Sequence, residues 1–280
     1  MASKYRDSLR KLLLTGGACA GLLLMWAISK SKPPLSSPVA TSDEQQPKPE
    51  VVLQQESVTL LAAYEQAVLP EEKQKLLNAL AKTQDLTITG KIIELLAVEA
   101  DDGAADTMQW MLVRMADATV ISQIAERYES VPGAVEAKRL TTVVQRIRSD
   151  EMAGLLVSLI DAPIPMEDML TKAALVALRE IGSPFVADAL ARRLNSATTE
   201  ADRAYLELAL AGIRRPGTQH SLIAIATGQK AITQAATRLA AMQALSNYHD
   251  PESREALALL AQNEAPEIAA AARKIIKQER

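Results

Sequence analysis

Aromatic side chains make up only 3% of the 280 residues, and Phe185 is the single phenylalanine. There is one cysteine, Cys19, and there are two histidines, His220 and His249. The lone cysteine excludes an intramolecular disulfide and leaves the redox compartment open. The histidines stand 29 residues apart near turns, with no cysteine beyond residue 19 to complete a zinc ligand set. A solvated or structural role suffices for both. No Gly-rich phosphate loop, GxSxG or HExxH is present. Glu94, Glu99, Asp101 and Asp102 crowd one expected helix end, but nothing in the pattern marks them as buried, so they read as solvated charges rather than an acid–base pair. With 11 glycines and few runs of Val, Ile or aromatics, a sheet has little to be built from. These absences point away from catalysis. The expectation is a protein that is not an enzyme, with no catalytic residues, no cofactor and no metal.

What is abundant is apolar and small. Hydrophobic residues are 48% of the chain, mostly Ala and Leu, enough to bury a core. Ala loses least on entering a helix and lets backbones approach closely, which favours packed helices. Residues 1–32 carry six Lys or Arg and one Asp, a balance of +5, so the remainder of a chain with net charge −3 stands at −8. An acidic body lacks the basic face that nucleic-acid binding needs, so no nucleic-acid partner is expected.

The N-terminus has its own organisation. A basic segment, residues 1–11, holds Lys4, Arg6, Arg10 and Lys11. Residues 12–28 are uncharged, about 25 Å as a helix, the short end of a bilayer span, with Trp26 where an indole suits the membrane boundary. Residues 12–29 are therefore expected to be a single-pass transmembrane signal anchor in contact with the lipid bilayer. Cleavage after Ala27-Ile28-Ser29 is the alternative. Ala18-Cys19-Ala20 is a poorer cleavage or lipidation site, because the apolar run continues past it. Four basic residues before the run and two after it place the N-terminus in the cytoplasm. Gly17 and Gly21 form a GxxxG pair, read either as small residues in an Ala/Gly-rich run or as the face of a homodimer. Residues 30–50, rich in Pro and Ser, read as a disordered linker.

From residue 51 to 280 the chain is a succession of apolar segments of helical period, divided by turn signals. Pro184, Pro216 and Pro251 lie 32 and 35 residues apart, a spacing that signals stacked repeats. The spacing predicts helix pairs 71–82 with 86–99, 103–116 with 118–130, 133–148 with 150–161, 166–181 with 184–195, 199–213 with 218–227, and 232–246 with 252–262. Helix 266–278 closes the array and 52–68 opens it.

In one unit Ala174, Ala177, Leu178, Ile181, Gly182, Pro184, Leu190 and Leu194 make an Ala-Leu helix, a Gly/Pro turn and a Leu-rich helix. Arg238, Ala241, Ala244, Leu245, Asp250, Pro251, Ala256, Leu257 and Leu260 repeat it, and Pro266-Glu267-Ile268 with Ala271-Ala272-Arg273 begins another. In these units the chain resembles the HEAT-repeat family, including its short bacterial kind, convincingly over roughly 166–280 and more weakly over 70–163. The resemblance implies an all-α, right-handed α-solenoid of the armadillo-like class, with about six to seven stacked helix pairs. It also implies a bacterial setting, with the body periplasmic and the anchor in the inner membrane.

Arg146 and Arg148, Arg179, and Arg214 with Arg215 each fall near the end of a first helix in successive repeats. They read either as cations complementing helix macrodipoles or as a ridge that binds an acidic partner. Trp110 with Met108, Met111 and Met115, at helical spacing, reads as core. The functional expectation is a membrane-tethered scaffold or assembly factor that binds other proteins. The alternatives are a soluble periplasmic binding module after signal cleavage and, since some HEAT-like proteins resemble bilin lyases, an enzyme of that kind. The missing body cysteine and the few aromatics speak against the last.

Overall fold

In the computed structural model, residues 49–131, 133–162, 166–229, 234–262 and 265–278 are described, and among them there are fourteen α-helices and no strand. The first seven helices are α1 (Pro49–Gln66), α2 (Pro70–Thr83), α3 (Thr89–Val98), α4 (Asp102–Arg114), α5 (Ala118–Ser130), α6 (Ala134–Gln145) and α7 (Ala153–Asp161). They continue as α8 (Met169–Ile181), α9 (Pro184–Asn195), α10 (Glu200–Ala211), α11 (Gln219–Ala226), α12 (Ala235–Leu245), α13 (Pro251–Leu260) and α14 (Pro266–Gln278). Short 3₁₀ turns at Leu86–Ile88 and Asp150–Met152 lead into α3 and α7.

Local chemistry starts and stops these helices. Asp101, Asp117, Asp168, Thr199 and Asp250 cap the N-termini of α4, α5, α8, α10 and α13, each side chain accepting from a backbone N–H two or three residues on. Pro70, Pro184 and Pro251 open α2, α9 and α13, where a missing N–H costs nothing. Pro216 does not work this way: Pro216 and Gly217 form a turn, and α11 begins only at Gln219. Gly182 ends α8 in the left-handed region, with φ 53°.

The helices stack in two layers. Helices α2, α4, α6, α8, α10, α12 and α14 each pack on the next, and their first residues are 31 to 35 positions apart. In the second layer α3 packs on α5, and α7, α9, α11 and α13 follow one another. The architecture is an all-helical solenoid. Its core is one continuous layer, because no helix pair can bury its apolar stripe alone. Ala174, Ala177, Ala187, Ala191, Ala241 and Ala244 are fully buried and set close helix spacing, while Leu178, Leu190, Leu194, Leu210 and Leu245 fill the space between.

The turns inside successive repeats also join. The Thr218 hydroxyl donates to the Gly182 carbonyl at 2.6 Å, and Arg215 donates to the Ile181 carbonyl at 3.1 Å. One repeat later, Asn247 donates to the carbonyls of Ala211 and Ile213, and the Tyr248 hydroxyl to that of Arg215. These bonds align the turns in a row along one edge.

The basic segment, the span expected at 12–28 with its Gly17/Gly21 pair, and nearly all of the linker lie outside the described residues. Among the described residues, no helix is long and apolar enough to cross a membrane.

Candidate functional site

The burial pattern of α8 leaves one stripe outward. Leu170, Thr171, Ala173, Ala174, Leu175, Ala177, Leu178 and Ile181 are buried, so Lys172, Val176, Arg179 and Glu180 face away from the core. On the adjacent α10, Leu206, Ala209 and Leu210 turn inward and Tyr205 and Leu208 outward. A groove of about 190 Å³ runs between the two helices, lined by Lys172, Leu175, Val176, Tyr205, Leu208 and Arg179. Leu208 is 65% exposed, a large apolar side chain held in water by the fold. The Lys172 ammonium lies 4.9 Å from the centre of the Tyr205 ring, a cation–π contact that closes one end.

Arg179 belongs to a second cavity as well. An open cleft of about 400 Å³ is lined by Arg179, Glu180, Gly212, Arg214 and Arg215. Gly212 makes room for it: a Cβ there would fall 2.3 Å from Arg179 Cδ. Arg179 pairs with Glu180 at 2.8 Å and Arg215 with Asp150 at 2.5 Å, all four side chains partly exposed. Exposed pairs contribute little to stability, roughly 0–1 kcal/mol. Their acidic members can therefore be displaced by another carboxylate at small cost.

The five arginines of the expected ridge do not form one row. Arg179, Arg214 and Arg215 meet at the cleft. Arg146 turns toward α4, bonding Asp106 at 2.7 Å and Gln109 at 3.1 Å and lying 4.9 Å from the Trp110 ring centre. Arg148 donates to the carbonyls of Gln145 and Ile147, which satisfies its own helix end.

Two sequence readings need correction. The Trp110 cluster is split: Met108 and Met111 are buried, whereas Trp110 is 49% exposed. At roughly 100° of rotation per residue, Met108 and Met111 share a face of α4 that Trp110 does not. The carboxylates near residue 99 are not all solvated either. Glu99, at the end of α3, is only 8% exposed. It accepts from the Tyr64 hydroxyl, from Lys73 at 3.1 Å and from the Asp101 N–H at 3.0 Å, while Arg139 donates to its carbonyl. Burial opposes its ionisation, but the Asp101 N–H, Tyr64 and Lys73 outweigh it and hold the carboxyl at about 2. Tyr64 is pushed well above its ordinary value, first by burial and then by Glu99. This network ties α1, α2, α3, α4 and α6 together. The Tyr64 and Lys73 partners lie 35 and 26 residues upstream of Glu99, at separations that no motif signals.

His220 is 82% exposed and sits 3.1 Å from Glu252. Among the described residues, no group of three or more His, Cys, Asp or Glu is placed to hold a metal ion.

No protein-family model matches the chain, and no curated protein matches it. Among solved structures it is similar to human deoxyhypusine hydroxylase in complex with glycerol, at 16% identity, over 83% of this chain and 98% of that one, with a TM-score of 0.35. A likeness of that order assigns no activity here. It does correct one expectation. The reading as a non-catalytic scaffold, and as no enzyme, took a helical-repeat chain without familiar motifs to be a chain without chemistry. A fold of stacked helices is neutral as to chemistry, and the structure named above is that of an enzyme, so that exclusion is withdrawn.

Proposed function

We propose that the chain is a binding module that takes an apolar side chain of a protein segment into the groove between α8 and α10 and a neighbouring carboxylate into the adjoining cleft. The observation that carries this reading is Arg179, which lines both cavities and so joins an apolar subsite to a cationic one. The exposure of Leu208 supports it, since an apolar side chain left in water beside a groove marks a contact surface. The net charge of −8 beyond residue 32 makes the local cation cluster of Arg179, Arg214 and Arg215 a selective feature rather than a general one. A groove of this kind is as compatible with chemistry on the bound segment as with adhesion alone.

The test is binding of short peptides that carry one Leu flanked by Glu, measured by fluorescence anisotropy. Leu208→Asp should weaken binding at least tenfold without shifting the thermal midpoint, because Leu208 contributes little to the core. Replacing the peptide's Glu by Gln should weaken it by a similar factor, and more so at low salt. Equal affinity of the wild type and Leu208→Asp would overturn the proposal.

Two sequence readings are carried into this proposal. The array is taken as HEAT-like and right-handed, supported by the Gly182–Pro184 and Asp250–Pro251 turns and the 31-to-35-residue spacing. Residues 12–28 are taken as a membrane anchor, supported by their uncharged composition. The full chain should then stay with membranes washed at high salt, and release into the wash would overturn the anchor.

A further inference from the structure

The groove is one point on a line. In α4, α6, α8 and α12 a single outward residue sits between two buried pairs: Trp110 between Met108-Gln109 and Met111-Leu112, Thr142 between Leu140-Thr141 and Val143-Val144. The same pattern places Val176 between Ala174-Leu175 and Ala177-Leu178, and Gln243 between Ala241-Met242 and Ala244-Leu245. Leu208 holds the equivalent place in α10, before buried Ala209 and Leu210. Because these first helices stack side by side, the equivalent positions Trp110, Thr142, Val176 and Leu208 form a row that crosses four of them.

Cations flank the row on both sides. Lys138 and Lys172 lie one turn before Thr142 and Val176, while Arg114, Arg146 and Arg179 lie about one turn after Trp110, Thr142 and Val176. Asp106 and Glu180 stand among them, paired to Arg146 and Arg179, and Glu207 adjoins Leu208. The balance along the row is positive on an acidic body.

We infer that the ligand of the α8–α10 groove is an extended acidic protein segment that crosses these helices and has a second anchor on Trp110. This rests on the groove reading above. Neighbouring packed helices are roughly 8–10 Å apart, so the three steps from α4 to α10 span roughly 24–30 Å. An extended chain rises about 3.3 Å per residue, which corresponds to roughly seven to nine residues. Side chains of a strand alternate between faces, so two anchors on one face must be an even number apart. A spacing of about eight residues satisfies length and parity together. Trp110 is 49% exposed with Arg146 over its ring, which leaves its remaining surface to an apolar or aromatic side chain.

The experiment uses the full chain in detergent and three Glu-rich peptides of equal charge: one with a single Leu, one with Leu and Trp about eight residues apart, and one with the same pair about seven apart. The two-anchor peptide should bind on the order of 100-fold tighter than the single-anchor peptide, since the second contact is intramolecular. The peptide of odd spacing should lose most of that gain. Trp110→Ala should remove the gain while leaving single-anchor binding unchanged. In a Trp26→Phe background, with a peptide whose Trp is replaced by Phe, the Trp110 emission should shift to shorter wavelength only with two anchors. If the single-anchor peptide binds and the second anchor adds nothing, this inference falls and the groove stands. If Trp110→Ala weakens all three peptides equally, the row is not a two-anchor track. If none binds, or an anchorless Glu-rich peptide binds as well, both readings fall.

Discussion

Replacing Glu99 by Gln should destabilise the N-terminal end of the solenoid by an amount that depends on pH in a defined way. The side chain keeps its shape, but Lys73, Tyr64 and the Asp101 N–H lose the charge they converge on. The carboxyl falls from its ordinary 4.5 to about 2 in the fold. At roughly 1.4 kcal/mol per pH unit, that is about 3 kcal/mol, in line with loss of several hydrogen bonds to a buried charge. The folded-state value is depressed, so the contribution is fully present above the unfolded-state value near 4.5 and is lost as the pH falls from there toward 2. Stability is additive along a repeat array, so the loss should be local. Amide hydrogen exchange at pH 7 should quicken in α1 and α2 and stay unchanged in α12 to α14, and the urea midpoint of the first transition should drop. A gap between wild type and Glu99→Gln that is absent at pH 7, or equally large at pH 7 and pH 2.5, would refute the charge-based account.

Two further outcomes follow from single positions. Gly182→Ala puts a side chain on a left-handed residue, with its Cβ 3.1 Å from the Arg179 carbonyl oxygen and 3.3 Å from Arg215 Cβ. It should cost about 1–2 kcal/mol or more by urea denaturation, and an unchanged midpoint would show that the turn relaxes freely. Asp168 accepts from the N–H groups of Leu170 and Thr171 and from the Tyr128 hydroxyl at 2.8 Å. Asp168→Ala should cost about 1–2 kcal/mol, Tyr128→Phe about 1 kcal/mol, and the double variant less than the sum, since both remove one shared contact.

The helices were legible because they rest on local signals. The Gly182–Pro184 and Asp250–Pro251 turns, the prolines opening α9 and α13, and the Ala-Leu period each act within a few residues, and the predicted helix pairs agree with the observed helices to within a few residues. Pro216 marks the break between helices without opening one: it sits in the turn two residues before the Thr218 cap, and the helix expected from 218 begins at Gln219. The groove was not legible. Whether Val176 and Leu208 meet depends on the phase between α8 and α10, which is set by packing and leaves no mark at a fixed sequence interval. Of the arginine ridge, helix-end position was visible, but not that Gly212 would admit Arg179 to the cleft or that Trp110 would draw Arg146 away. Glu99 was missed for a related reason: burial of one carboxylate in a run of four is decided by Tyr64 and Lys73 on other helices.

The row of joined turns has a direction. From residue 181 to 248 every turn-to-turn donor named above (Arg215, Thr218, Asn247, Tyr248) belongs to a later repeat, and every acceptor to an earlier one. A ribosome delivers this chain in that order. At about 5–20 residues per second, each new unit emerges within a few seconds to find its acceptors already in place. Growth can then proceed as on a template, with each unit zipped onto its predecessor before the next appears, and with the Glu99 network near the start as the seed. Assembly during synthesis would run with the bonds, and unravelling by a protease pulling from the C-terminus would undo them one unit at a time.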